Sequence, residues 1–356
     1  MNFLRPISEV RWQTAARPPK SGAPVPLGWR RRRSGLGFGF PVWTMLLIAA
    51  AMSLGRCQIA AQTDTGLRVG FSSAMFTDVN ENDAKAAVKI WGQTVAKQRG
   101  IPTQPETHIF QSTQEILEAL RSKSVDAVGI TMIEYAVASR EVRFDPIFVT
   151  YTGQRAREQY LVLVRNDSRV DHLADLRGRS VIFHDNSRVR LAQPWLDTLL
   201  IPETGKPAAD WLGKITLCPK LSKVVLPVFF HQSDACVVFR TSFETMCELN
   251  PQIGQQLKVL VFSPEVVPAV FCFRADYAPA FKEPLFAGIR ELHKSPAGLQ
   301  VLTIFQSDKI EDEPASCLDG ALEILARHAQ LTGADYMATN TQPHVVVLQK
   351  SQGGNP

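Results

Sequence analysis

The sequence lacks the signatures that carry most metal and nucleophilic chemistry. Its six cysteines in 356 residues show no CxxC and no paired Cys/His spacing, which argues against a zinc site. Beyond the first 61 residues there is no G-x-S-x-G elbow and no P-loop, and His172, His184 and His231 have no Ser or Cys nucleophile motif beside them. Gly35, Gly37 and Gly39 mimic part of a nucleotide loop but have no strand before them. An enzyme is therefore not expected, and no cofactor or metal is implied. The absence of a short-period repeat excludes a solenoid, and no low-complexity tract follows the leader.

What is present begins with charge. The formal net charge is +5, yet nine basic residues (Arg5, Arg11, Arg17, Lys20, Arg30 to Arg33 and Arg56) fall within residues 1–61 against Glu9 alone; taking that +8 from the total leaves −3 for the rest. With a mildly acidic remainder and no basic stripe interleaved with aromatics, nucleic acid is not an expected partner. The basic run precedes an apolar stretch, Val42 to Leu54, broken by Thr44 and Ser53 and followed by Ile59-Ala60-Ala61-Gln62. About 13 apolar residues are too few for an ordinary span and suit the core of a secretory signal. Residues 1–61 thus read as a signal peptide cut after Ala61 or as a retained N-terminal anchor, with Cys57 a lipidation candidate. Either way the bulk of the chain is expected outside the cytoplasm. There Cys218, Cys236, Cys247, Cys272 and Cys317 allow one or two disulfides and leave an odd thiol, although Cys236 and Cys272 lie in apolar strand-like runs and read as small core hydrophobes.

After Gly66, short strands alternate with amphipathic helices, the pattern of open parallel or mixed sheets covered by helices. Strands are expected at Leu67–Phe71, Thr107–Phe110, Asp126–Ile130 and Ile147–Tyr151. A second set is expected at Tyr160–Val164, Val181–Phe183, Ile215–Leu217, Ala235–Phe239, Lys258–Phe262 and Ala269–Phe273. Helices are expected at Asp83–Gln98, ended by Gly100, and after the Ser112-Thr113-Gln114-Glu115 capping signal. Further helices fall near Leu191–Leu200, Lys223–Phe230, Ser242–Leu249, Glu283–Leu292, Gly298–Phe305 and Asp319–Leu331.

One stretch is more specific. Leu161 to Ser187 reads as strand, short turn and strand around Asp175-Leu176-Arg177-Gly178-Arg179. With Ser124-Val125-Asp126-Ala127-Val128-Gly129 and Ser233-Asp234-Ala235-Cys236-Val237-Val238, it resembles the phosphate/phosphonate-binding family of ABC-transporter receptors, which are type II periplasmic binding proteins. The similarity runs from about Leu67 to Ile310.

The resemblance implies an α/β chain in two lobes, with mixed open sheets, helices on both faces and two crossover strands. Lobe 1 would take residues 66–154 and 266–340, lobe 2 residues 155–265, and residues 341–356 a flexible tail. It implies a solute-binding protein of an ABC uptake system, monomeric, holding a small oxyanion such as phosphate, phosphite or a phosphonate between the lobes and passing it to a permease. A membrane-tethered sensory module of the same fold is the alternative. Since ligands in open α/β sheets sit beyond the carboxyl ends of strands, the expected contacts are Ser72 and Ser73 after the first strand, and Thr131 and Tyr135 after the third. In the second lobe they are Asn186, Ser187 and Arg188, and then Arg240. At the third of these loops the family carries a hydroxyl-rich turn; this chain keeps Ser187 and puts Arg188 and Val189 where further hydroxyls would be, and a guanidinium can bind an oxyanion by two parallel bonds. Arg240 also has an intrahelical partner available in Glu244, four residues on.

Overall fold

A computed structural model describes residues 66–76, 80–101, 105–186 and 189–333. The leader, including Cys57 and the cleavage point after Ala61, lies outside the described residues, as do Ser187, Arg188 and the tail beyond Gly333.

Eleven strands among the described residues form two sheets. The first, in spatial order β11-β4-β10-β3-β1-β2, comprises β1 (Arg68–Ser72), β2 (Glu106–Phe110), β3 (Ala127–Thr131), β4 (Phe144–Tyr151), β10 (Ala269–Arg274) and β11 (Lys309–Glu313). The second, in order β7-β6-β8-β5-β9, comprises β5 (Tyr160–Arg165), β6 (Ser180–His184), β7 (Lys214–Cys218), β8 (Ala235–Phe239) and β9 (Leu257–Phe262). Each sheet has three parallel strands, β1, β2 and β3 or β6, β7 and β8, to which antiparallel strands are added. The helices are α1 (Glu81–Arg99), α2 (Thr113–Arg121), α3 (Met132–Ala138), α4 (Ala192–Thr204), α5 (Ala208–Trp211), α6 (Leu221–Phe229), α7 (Arg240–Leu249), α8 (Pro251–Gln256), α9 (Lys282–Arg290), α10 (Pro296–Ile304) and α11 (Asp319–Thr332).

Local chemistry explains these boundaries. Asn80 caps α1 by accepting from the Asn82 N–H, and Gly100 closes it with φ of 62°, a left-handed conformation that glycine enters without a Cβ penalty. Ser112 accepts from the Glu115 N–H at 3.2 Å, while the Glu115 carboxylate reaches back to the Gln111 N–H at 2.9 Å. The apolar stripe Ile116, Leu117 and Leu120 of α2 is buried.

The core has three parts. β5 is buried on both faces: Tyr160, Val162 and Val164 join a central cluster with α2, α3, α4 and α11, whereas Leu161 and Leu163 face α6 in a second cluster. The third cluster lies between the first sheet and α1, α9 and α10, where Phe71, Phe148, Phe271 and Phe273 pack ring against ring. Two segments connect the sheets, β4 to β5 and β9 to β10. They pair with each other through Glu158 and Val266, whose reciprocal backbone bonds are both 2.8 Å. α11 packs against α4 and α3, and His328 Nε2 lies 3.1 Å from the buried Asp197 carboxylate of α4.

Three features depart from the sequence reading. β11, read as lying beyond the clear pattern, forms an edge strand pairing with β4. The segment after β3, read as a ligand-binding loop, turns at once into α3. The five described cysteines are all free thiols.

Candidate functional site

In each sheet the connections from the first parallel strand reverse direction across the sheet. β1 stands between β2 and β3, and β6 between β7 and β8. Such a reversal leaves a crevice beyond the carboxyl ends of the two flanking strands. In the first sheet those ends are Ser72 and Thr131; in the second they are His184 and Phe239.

Both crevices lie at the connected ends of their sheets. Thr131 pairs with Ala269, the first residue of β10, and Phe239 pairs with Tyr160, the first residue of β5. The helices that follow are held by the connecting segments in matching fashion. The first N–H of α3, from Met132, donates to the Pro268 carbonyl at 3.3 Å, and the first N–H of α7, from Arg240, donates to the Gln159 carbonyl at 2.9 Å.

At the first crevice, Ser72 and Thr131 are brought together by a residue that sequence reading passed over. The Glu134 carboxylate, in the first turn of α3, accepts from Ser72 Oγ at 2.5 Å and from both the N–H and the Oγ1 of Thr131 at 2.8 Å. All three residues are buried. The signal was present as Thr-x-x-Glu, the capping-box spacing. Ser73 lies next to Ser72 in a short 3-10 turn, partly exposed. Tyr135, on the same helix as Glu134, points into the central core with its ring centroid 5.6 Å from that of Phe144, and burial pushes its pKa up to about 12.

At the second crevice, Asn186 follows the end of β6, and its carbonyl accepts from the Val189 N–H at 3.0 Å. His184 sends Nε2 to within 3.1 Å of the Pro219 carbonyl, with Nδ1 buried. Arg240 bonds through Nε to Gln159 Oε1 at 2.7 Å and lies over the Phe262 ring at 5.9 Å, so its guanidinium is tied to the connecting segment and β9. Its sequence-suggested partner Glu244 pairs instead with Arg155 at 2.9 Å.

The motifs that carried the family resemblance sit elsewhere. Asp126 and Asp234 each stand just before a central strand and bind the first residue of the parallel neighbour: Asp126 accepts from the Arg68 N–H, and Asp234 from the Ser180 N–H, both at 2.9 Å. Asp175 accepts from the N–H groups of Asp171 and His172, which hold its carboxyl below the usual range. Gly178 follows with φ of 68°. These residues build the amino ends of the sheets and the turn before β6, away from the crevices. Among the described residues no group of His, Cys, Asp and Glu could hold a metal ion.

Residues 74–314 match the family model described as "ABC transporter, phosphonate, periplasmic substrate-binding protein". No curated protein matches the chain. Among solved structures, a Xanthomonas citri protein bound to ATP is similar with a TM-score of 0.54 at 16% identity, over 75% of this chain and 98% of that one. A structure of the same protein bound to a chloride ion gives 0.53 at 17%, with the same coverage. A binding-protein component of an ABC phosphonate transporter from Pseudomonas aeruginosa gives 0.50 at 14%, over 75% of this chain and 87% of that one. At such identities the likeness establishes the fold: two lobes, each an open α/β sheet.

Proposed function

Because the chain belongs to the family of periplasmic substrate-binding proteins of ABC phosphonate transporters, a transport family and not an enzymatic one, we propose that it captures a small oxyanion such as phosphate, phosphite or a phosphonate between its lobes. It then delivers that ligand to an ABC permease. We take lobe 1 as residues 66–154 with 266–340, lobe 2 as 155–265, and the working form as an exported monomer. Family membership speaks for an extracytoplasmic place of work, and among the described residues no helix is long and apolar enough to cross a membrane.

One observation carries this reading: both topological crevices open where the two connecting segments join the sheets, with Thr131 on Ala269 and Phe239 on Tyr160. A ligand touching both ends would favour the closed arrangement, because only differential contact with two states shifts their balance. The donors available to an anion are unequal. Ser72 and Thr131 already serve Glu134, and Arg240 serves Gln159, so we assign the main grip to Asn186, Ser187 and Arg188, an amide, a hydroxyl and a guanidinium consecutive in the sequence.

A thermal-shift screen of phosphate, phosphite, phosphonates, sulfonates and carboxylates tests the reading, since a ligand that binds only the folded chain raises its melting point. An oxyanion should do so. Arg188→Ala should then weaken it by about 1.5–3 kcal/mol, the range for a charge-assisted bond. A screen in which no oxyanion shifts the melting point overturns the assignment.

A further inference from the structure

Between the first sheet and the helices α1, α9 and α10 lies a cavity of about 60 Å³, on the face where Phe71 and Phe271 pack. Protein interiors are close-packed, with few voids larger than a water molecule. A water's share of liquid volume is about 30 Å³, so this space takes about two groups of that size, and a methyl or methylene is such a group. Among the residues lining it, Thr150 has the only polar side chain. Water in a buried site needs roughly two to four polar partners. The cavity therefore favours hydrocarbon over water.

Its walls resist collapse. The Phe71 ring stacks on those of Phe271, at 5.8 Å, and Phe305, at 5.5 Å, and it can lie over β3 because position 129 is glycine: a Cβ there would stand 2.5 Å from Phe71 Cδ1. Rings held in this way have little freedom to move into the space.

The opening is at the crevice end of the sheet. Of the lining residues only Met75, Thr150 and Phe305 are partly exposed, and the others are buried. Met75 ends the turn after β1, Thr150 stands one residue before the end of β4, and Phe305 lies three residues before Asp308, whose N–H donates to the Tyr151 carbonyl at 2.8 Å. Because β10 is antiparallel to both β3 and β4, the ends of β1, β3 and β4 point the same way. Phe71 directly precedes Ser72, and Ala269, which also lines the cavity, is the register partner of Thr131. Mouth and crevice are neighbours.

We propose that this cavity is a subsite for the hydrocarbon part of the ligand, so that the preferred solute is an oxyanion carrying a short alkyl chain, with its head group in the crevice and its chain entering beside Met75 and Phe305. The inference rests on the oxyanion reading above and narrows it to alkyl-substituted members such as alkylphosphonates. Phosphate and phosphite leave the subsite unfilled.

Titration calorimetry of the purified protein with phosphate, phosphite and the straight-chain alkylphosphonates from methyl to hexyl is the test. Affinity should rise about fourfold for each methylene that enters the cavity, over about two carbons, and then level once the space is full. Val301, on α10, is buried and lines the cavity. Val301→Phe should abolish the rise, so that each longer member binds about as methylphosphonate does. In the wild type, an affinity independent of chain length, or one that climbs without levelling, overturns the proposal; so does a rise that survives in Val301→Phe. Should Val301→Phe fail to fold, the wild-type profile decides, and only a rise that levels supports the subsite. If phosphate or phosphite binds and no alkylphosphonate does, the subsite alone falls. If none of the anions binds, the oxyanion reading falls, and the subsite with it.

Discussion

Asp126 and Asp234 are equivalent side chains in the two sheets, and their surroundings fix what each contributes. Asp126 is 1% exposed and takes two bonds from the Arg68 guanidinium, at 3.1 and 3.0 Å, besides that from its N–H, with the buried Arg274 guanidinium 3.6 Å away. Replacing it with alanine takes the carboxylate away from the Arg68 guanidinium and leaves the buried Arg274 with Asp276 alone, 3.5 Å away, a loss of about 3 kcal/mol. Urea unfolding of Asp126→Ala should show that loss, with ligand affinity in the surviving folded protein unchanged because the crevice is at the other end of β3. For Asp234, burial raises the carboxyl, but the Ser180 hydroxyl and N–H and the Arg179 guanidinium outweigh it and hold the group below its ordinary value. A depressed carboxyl contributes stability that is present above its unfolded value near 4 and lost as pH falls through the folded one. Acid titration should therefore destabilise the wild type more than Asp234→Asn below about pH 4. An equal acid dependence of the two proteins would count against this account. Cys236 and Cys272 are buried and their thiols raised by that burial, and the part-exposed Cys247 is raised in the same direction, whereas Cys218 is part-exposed; a thiol reagent at pH 8 should therefore label Cys218 first in the native protein and reach Cys236 and Cys272 only on unfolding.

Among the elements, those with strong apolar patterning were legible: β5 and β8 as continuous apolar runs, α1 and α2 by their caps and stripes. β11 was not, because Lys309-Ile310-Glu311-Asp312-Glu313 reads as a charged loop. Charge is how an edge strand discourages pairing with another chain, and only β4 lying alongside reveals the pairing. α3 was hidden for a different reason. Its seven residues give too short a window for periodicity, and the Thr131 to Glu134 spacing was its one clear sign. The turn around Gly178 shows how a motif can be structural. A Cβ on Gly213 would stand 2.2 Å from the Gly178 carbonyl oxygen, so the segment before β7 and the turn before β6 can approach only as they do because position 213 has no side chain. Gly213→Ala should cost about 1–3 kcal/mol as overpacking, seen as a lower melting temperature.

For the molecule as a whole, two connecting segments and one backbone bridge between Glu158 and Val266 link the sheets, with α11 packing against helices of both. Closure about the connecting segments should reduce the radius of gyration when a ligand is bound, measurable by small-angle scattering. A saturating ligand that leaves the radius unchanged would count against hinge closure. Local propensity and burial act through near neighbours in the chain, so the amino-acid sequence by itself determined the order of the strands and helices other than β11 and the short helices such as α3, the α/β class and the family, the last through turn and strand-start motifs that build the scaffold. Which groups meet at the ends of β1 and β3 was decided only by the tertiary structure, because Ser72 and Glu134 are 62 residues apart. Folding sets the Glu134 carboxylate against the two hydroxyls that the sequence offered to a ligand and directs their protons inward. A hydroxyl's availability depends on what lies within 3 Å of it, and that is a property of packing.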